Sequence, residues 1–435
     1  MSDLQIGGLS LVALVLLLVL RVPIAVALGV VSVVGIAIII DPSIAWALLR
    51  SESYDFVANW SLSSVPMFLL MGYVCYQARL TDGLFRLARL WLSGLPGGLA
   101  IASIGGAAGF SAVTGSSVAC AAALSRIAVP EMLKSGYDKG LAAGTVSAAG
   151  TLGSLIPPSI LILIYGIYAE VPIGKLFIGA VGPGLLTAFA FALMVMLRVK
   201  ITPSLAPPTG VGATWADRFD AIKETWPVLL LVLGVFGGLF GGIFTPTEAG
   251  AIGAFLAFVI AAMKGTLTWA STRQALSETL TSTASIFIIA LGARLLTKYL
   301  ALAGLTDYIA DEVGALELSP TTVMLALAVI YVLLGMFLDP LGILLLTLPI
   351  FLPLVDTVGI EPILFGVLVV KLLEIGLITP PVGINVFVVK GILGDIIATE
   401  TIFRGILWFV AADLVVVALM IAFPAITLAL PGWLG

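Results

Sequence analysis

Two proline pairs, Pro157-Pro158 and Pro380-Pro381, sit inside apolar stretches of a 435-residue chain. Proline lacks the amide donor and crowds the preceding turn, so two in succession break a helix. Broken backbone at membrane depth persists only where protein buries it or where it lines a cavity. Carbonyls freed there can coordinate a cation, and the amides that open the next helix can receive an anion. For either pair alone, a structural kink without a ligand is an equally good account. Gly153 and Gly376 each stand four residues ahead of a pair, where the chain can turn and other backbone can approach.

A second kind of chemistry sits in Thr114-Gly115-Ser116-Ser117, small and polar in the middle of an apolar stretch. Its hydroxyls and carbonyls suit a small cation at the tip of a re-entrant hairpin. Close helix packing through Gly105 and Gly109 is the competing account. Asp339 lies between Leu338 and Pro340, a carboxylate in an apolar run and therefore a functional candidate. A hard cation would offset its cost, and a cap at a hairpin turn is the alternative. Lys371 and Glu374 are three apart on one helix and can pair, which keeps a proton-coupling role open. Asp413 has no evident partner in sequence. Asn385, five residues past Pro380, carries donors and acceptors for an anionic substrate or for the freed backbone. Thr245-Pro246-Thr247-Glu248 has the spacing of a helix-opening capping box.

Composition decides the class. Hydrophobic residues make up 61% and charged residues 10%, far from the balance of a soluble domain. The chain reads as an integral membrane protein with room for about a dozen spans at roughly 20 residues each, and no large catalytic domain outside the bilayer. Histidine is absent, which excludes histidine relays, ligands and triads. Cys75 and Cys120 both lie in apolar runs, so neither a disulfide framework nor a thiolate metal site is expected. No phosphate-cradling loop motif occurs, and a net charge of −4 carries no nucleic-acid signature. The first apolar run has Asp3 and no basic residue before it, so it reads as a retained helix, unlike a signal peptide.

Apolar stretches run near 6–20, 22–40, 60–78, 97–125, 140–168, 173–197, 226–243, 247–263, 280–302, 320–355, 360–391 and 402–430. Those at 97–125, 140–168 and 320–355 are too long or too broken for straight crossings. Residues 81–93 alternate as an amphipathic helix suited to the membrane surface. Basic loops (Arg79, Arg86, Arg89; Arg126, Lys134, Lys139; Arg198, Lys200) alternate with acidic ones (Asp41, Glu52, Asp55; Glu170; Asp307, Asp311; Asp356, Glu361), with Arg50 and Lys175 as exceptions. Placing the basic set in the cytoplasm puts both termini outside.

The chain also repeats itself. Gly153-Ser154-Leu155-Ile156-Pro157-Pro158-Ser159 matches Gly376-Leu377-Ile378-Thr379-Pro380-Pro381-Val382, so Pro157 recurs as Pro380, 223 positions on. The same spacing pairs Gly136 with Gly359, Pro130 with Pro353, and Thr114-Gly115-Ser116-Ser117 with Phe337-Leu338-Asp339-Pro340. Basic residues precede the first proline pair and acidic ones the second. Equivalent loops then fall on opposite sides, which makes the repeat inverted, an architecture of secondary transporters.

At these residues the chain resembles the large membrane subunit of the tripartite ATP-independent periplasmic (TRAP) transporters. Gly115-Ser116-Ser117, Gly153 through Ser159, Thr245-Pro246-Thr247-Glu248-Ala249 and Thr379-Pro380-Pro381-Val382-Gly383-Ile384-Asn385 carry the likeness, in the same order through essentially the whole chain. The resemblance implies an all-α polytopic protein with two re-entrant helical hairpins and two broken helices, working as an elevator. It implies a bacterial inner-membrane importer of small organic anions, carboxylates or sulfonates, driven by a sodium gradient and needing no other cofactor. The implied partners are a periplasmic substrate-binding protein and a smaller four-helix membrane subunit. One cation site would use Ser116, Ser117, Gly153, Ile156 and the carbonyls just before Pro157. The second would use Gly335, Asp339, Gly376 and Thr379, with substrate near Thr114, Ser159 and Asn385.

On that scheme residues 1–95, 171–315 and 396–435 form scaffold and arm helices, while 96–170 and 316–395 form the two transport repeats. Three rivals stand beside it. A stand-alone sodium- or proton-coupled dicarboxylate carrier would need neither partner. An intramembrane hydrolase would need a Ser-Lys or paired-aspartate centre, and a passive channel would leave the inverted copies without a purpose.

Overall fold

The computed structural model describes residues 1–207 and 214–434. Within them the regular structure is helical throughout. The chain opens with α1 (Asp3–Val19), α2 (Ile24–Ile39), α3 (Pro42–Val57), α4 (Ser64–Gln77) and the amphipathic α5 (Asp82–Leu92). The first copy of the repeat follows as α6 (Gly98–Thr114), α7 (Ser117–Lys134), α8 (Lys139–Gly150), α9 (Leu152–Leu155) and α10 (Ile160–Tyr168). Between the copies lie α11 (Ile173–Ile201), α12 (Trp215–Glu224), α13 (Trp226–Phe240), α14 (Pro246–Met263), α15 (Trp269–Leu302) and α16 (Leu305–Ala315). The second copy is α17 (Pro320–Gly335), α18 (Pro340–Val358), α19 (Pro362–Gly376) and α20 (Ile384–Leu393), followed by α21 (Thr399–Ala422) and α22 (Ala425–Leu434).

The spacing of 223 holds at the level of helix ends. Ser116 caps α7 by accepting the Ala119 amide, and Asp339 caps α18 by accepting that of Gly342. Asp138 caps α8 through the Leu141 amide, and Glu361 caps α19 through that of Leu364. Gly136 and Gly359, with φ of +78° and +74°, take the left-handed turn after α7 and α18, where a side chain would be strained. Pro130 and Pro353 lie inside the second helix of each hairpin. The duplicated signals are therefore caps and breakers, which place the helix boundaries.

Among the described residues, six helices are long and apolar enough to cross a membrane, or up to eight if two bent pairs each count as one span. This is fewer than the dozen that length suggests. α1, α2, α6 and α17 are apolar but short, and hairpin and broken helices divide what sequence shows as long stretches. The 402–430 stretch likewise divides at Pro424, into α21 and α22.

Two packing groups organise the molecule. α15 runs against α2, α3 and α4, and α14 packs on α4 and α13. A second core joins α6, α7 and α8 to α20, α21 and part of α11, including Phe191 against Phe409 at 5.2 Å. α11 and α21, which the sequence reading groups with the scaffold, thus pack principally on elements of the two copies.

Candidate cation and substrate sites

Each hairpin tip rests against the broken helix of its own copy, and glycine makes the approach possible. A Cβ on Gly153 would lie 2.5 Å from the Ser116 carbonyl oxygen and 2.7 Å from the Ser117 nitrogen. A Cβ on Gly376 would lie 2.5 Å from Gly335 Cα. A Cβ on Gly115 would meet the Pro158 carbonyl oxygen at 2.3 Å, so the first proline pair faces the first tip. The structure therefore gathers Ser116, Ser117 and Gly153 in one place and Gly335 with Gly376 in another. Ile156, between Gly153 and Pro157, packs against Gly184 of α11.

The remaining candidates are held by local bonds. The Thr379 hydroxyl donates to the Ile375 carbonyl at 2.6 Å, and the Thr114 hydroxyl to that of Phe110 at 3.1 Å. Ser159 caps α10, its oxygen accepting the Ile162 amide. Asp339 is exposed, and its carboxylate accepts the Gly342 amide at 3.1 Å, so the cap reading of this residue describes a bond that is present. Asn385 differs from the others. It is fully buried at the start of α20, and neither its Oδ1 nor its Nδ2 has a hydrogen-bond partner. A buried amide left unsatisfied is costly, which is the usual mark of a group awaiting a ligand or water. α20 itself packs on α7 and α8 of the first copy.

Two buried constellations escape sequence reasoning. Lys371 and Glu374 do not pair with each other. Lys371 hydrogen-bonds Asp413 of α21, both side chains being essentially inaccessible, with its ammonium 5.7 Å from the Phe191 ring centroid. Glu374 turns the other way and accepts from Ser117, whose hydroxyl also meets that of Ser154 at 2.8 Å. Three residues along a helix lie about a turn apart, so the spacing allows the pair but does not compel it. The tertiary partners, on α21 and α7, win because each charge is fully desolvated where it lies.

A cavity of about 680 Å³ opens elsewhere, between α3, α4, α10, α15 and α18. Arg294 and Lys298 of α15 line it, both in ion-pair range of Glu52 at 3.4 and 3.7 Å, and Tyr168 donates to or accepts from Thr297 on the same wall. None of the substrate candidates lines this cavity. No group of three or more His, Cys, Asp or Glu that could hold a metal occurs among the described residues. The oxygens of the first tip are hydroxyls and carbonyls, and the second adds the Asp339 carboxylate, sets suited to a hard monovalent cation.

Comparison with known proteins agrees with this architecture. The chain is 35% identical to the C4-dicarboxylate TRAP transporter large permease protein DctM of Pseudomonas aeruginosa, over 89% of this chain and 90% of that one. It is 32% identical to the sialic acid TRAP transporter large permease protein SiaM of Vibrio cholerae, over 86% and 87%. With the isethionate TRAP transporter permease protein DctMQ of Oleidesulfovibrio alaskensis it shares 31%, over 96% of this chain and 65% of the other. The solved YdaH transporter of Alcanivorax borkumensis has the same fold at a TM-score of 0.60 and 15% identity, covering 91% of this chain and 89% of that one. These relatives are named as permeases, which sets the intramembrane-hydrolase reading aside. Residues 11–426 match the family model described as tripartite ATP-independent periplasmic transporter, DctM component, and the chain belongs to that family as a multi-pass large permease subunit and not an enzyme.

Proposed function

We propose that this permease imports small organic anions across a bacterial inner membrane, driven by sodium, from a periplasmic binding protein and together with a four-helix membrane subunit. Relatives named for C4-dicarboxylates, sialic acid and isethionate support the substrate class, and relatives named for ectoine extend it beyond simple carboxylates. The observation that carries the reading is that Gly153 and Gly376, 223 positions apart, each let a broken helix approach a hairpin, at Ser116–Ser117 in the first copy and at Gly335 in the second. A hairpin closing on a broken helix in each copy fits ion sites at a repeat interface, where discontinuous helices offer their carbonyls to a cation. Ser116, Ser117, Gly153, Ile156 and the carbonyls before Pro157 form the first site, and Gly335, Asp339, Gly376 and Thr379 the second. Asn385 offers its free amide to the anion, with Thr114 and Ser159 beside the first tip.

The two copies, with α11 and α21 packed on them, form the moving body, and α1–α4 and α13–α16 the frame. Cation and anion bound together reduce the charge that must cross, so the loaded body moves more readily than a half-loaded one. Reciprocal coupling follows, since whatever sodium adds to substrate affinity, substrate returns to sodium affinity. Both termini lie on the periplasmic side.

Uptake into proteoliposomes tests this directly. The chain is reconstituted with its small subunit, the cognate binding protein is supplied outside, and an inward sodium gradient is imposed. Uptake that needs sodium and the binding protein, and that Asp339→Ala abolishes, is the expected result. Uptake with neither, or driven by protons alone, would replace this reading with an autonomous or proton-coupled carrier.

A further inference from the structure

The two hairpin tips differ in charge at matching positions, because Asp339 stands where the first copy has Ser116. A monovalent cation held only by hydroxyls and carbonyls keeps its full charge in surroundings that solvate charge poorly. The first tip has no carboxylate of its own, yet one reaches it from the other copy. Glu374, on α19, accepts a hydrogen bond from Ser117, and Ser117 is bonded in turn to Ser154, the neighbour of Gly153. Glu374 is 1% exposed, and its Oε1 has no hydrogen-bond partner. The nearby ammonium of Lys371 is engaged by Asp413, so no ion pair uses this oxygen.

We propose that Glu374 is the acidic group of the first cation site, delivered across the interface between the copies, with Oε1 as a further oxygen ligand for the ion. This rests on the sodium-site reading above and assigns to it a residue that lies outside the hairpin and the broken helix of the first copy. Each site then holds one carboxylate, Asp339 in the second and Glu374 in the first. Glu374 also stands two residues before Gly376 on the same helix, so α19 touches both sites. An ion at the first site fixes the helix against which the second is built, and occupancy of one raises the affinity of the other.

The test is sodium-dependent thermal stabilisation of the purified chain with its small subunit, titrated with sodium chloride against choline chloride. Glu374→Gln keeps the shape and the hydrogen bond to Ser117 but removes the charge. It is expected to raise the sodium concentration for half-maximal stabilisation at least about tenfold, given the strength of a buried unit charge at close range, while the melting temperature without sodium stays near wild type. An unchanged sodium half-point in Glu374→Gln, with a responsive wild type, overturns the inference and leaves the sodium reading intact. A wild type indifferent to sodium in both stabilisation and uptake sinks the sodium reading itself. Should Glu374→Gln fail to fold, hydrogen exchange on the wild type decides. Sodium must then protect the start of α7 together with the Glu374 turn of α19, and protection confined to the α17–α18 tip overturns the assignment.

Discussion

The two copies of the repeat share their boundaries and differ in their side chains. α7 and α18 are capped at equivalent positions, α8 and α19 likewise, and Gly153 and Gly376 each let the broken helix approach the hairpin of its own copy, Gly153 at the start of the hairpin's second helix and Gly376 at the end of its first. Yet α8 is a run of mostly glycine, alanine and small polar residues, buried from Gly140 on, whereas α19 carries Lys371 and Glu374 where the first copy has Ala148 in α8 and Thr151 just after it. The openings of α10 and α20 differ as well: Ser159 caps its own helix, while α20 starts after Gly383 with the unsatisfied Asn385 in its first turn. Caps and breakers have been kept in duplicate, and the buried charged side chains of the two copies, Lys371 and Glu374, both lie in the second. On the proposed function, the first copy draws part of its chemistry from Glu374 of the second.

The largest effect expected from this asymmetry lies at Lys371 and Asp413. Removing one member of a buried pair strands the other charge, at a cost of about 3–5 kcal/mol. Lys371→Met and Asp413→Leu singly should lower the thermal midpoint of the purified chain steeply, and the double variant should recover most of the loss. A double variant no better than the worse single one would mean that the pair does more than neutralise itself between α19 and α21. Next come Gly153→Ala and Gly376→Ala, where the added methyl meets hairpin backbone that has little room to yield. Overpacking of this kind costs about 1–3 kcal/mol, and both variants should lose uptake to a similar degree in proteoliposomes while still inserting in the membrane. A strongly unequal loss would show that the two approaches, at the start of α7 and at the end of α17, do not carry the same weight in transport.

Much of this frame is legible in the sequence because caps, prolines and positive-φ glycines act locally. The proline pairs, the hairpin tip at Gly115-Ser116 and the capping box at Thr245–Glu248 are all decided within a few residues of chain. Long-range partners are not legible that way. Asp413 meets Lys371 across 42 positions and Ser117 meets Glu374 across 257, and nothing in local spacing separates those outcomes from an i,i+3 pair. α3 passes unnoticed among the apolar stretches because Arg50, Glu52 and Asp55 dilute it, though Asp41 caps it and Pro42 opens it. The cavity beside Arg294 and Lys298 is equally hidden, since its walls come from five helices spread across the chain.

The smallest effect on stability, and the sharpest on mechanism, should come from exchanging the two tip residues. Serine and aspartate cap helices about equally well, so Asp339→Ser should change stability by less than about 1 kcal/mol. Function should separate where stability does not. Asp339→Ser keeps the bond to the Gly342 amide but strips the second site of its carboxylate, so uptake should need far more sodium to reach half-maximal rate. Ser116→Asp alone adds a second negative charge beside Glu374, and like charges brought together in a buried place repel. Combined with Glu374→Gln, however, it returns a single carboxylate to the first tip, in the position that the second copy already uses. The combination should therefore recover a sodium half-point closer to wild type than Glu374→Gln alone. Failure to recover would show that the charge is needed at the α19 side of the tip in particular, and that the two copies are equivalent in backbone only.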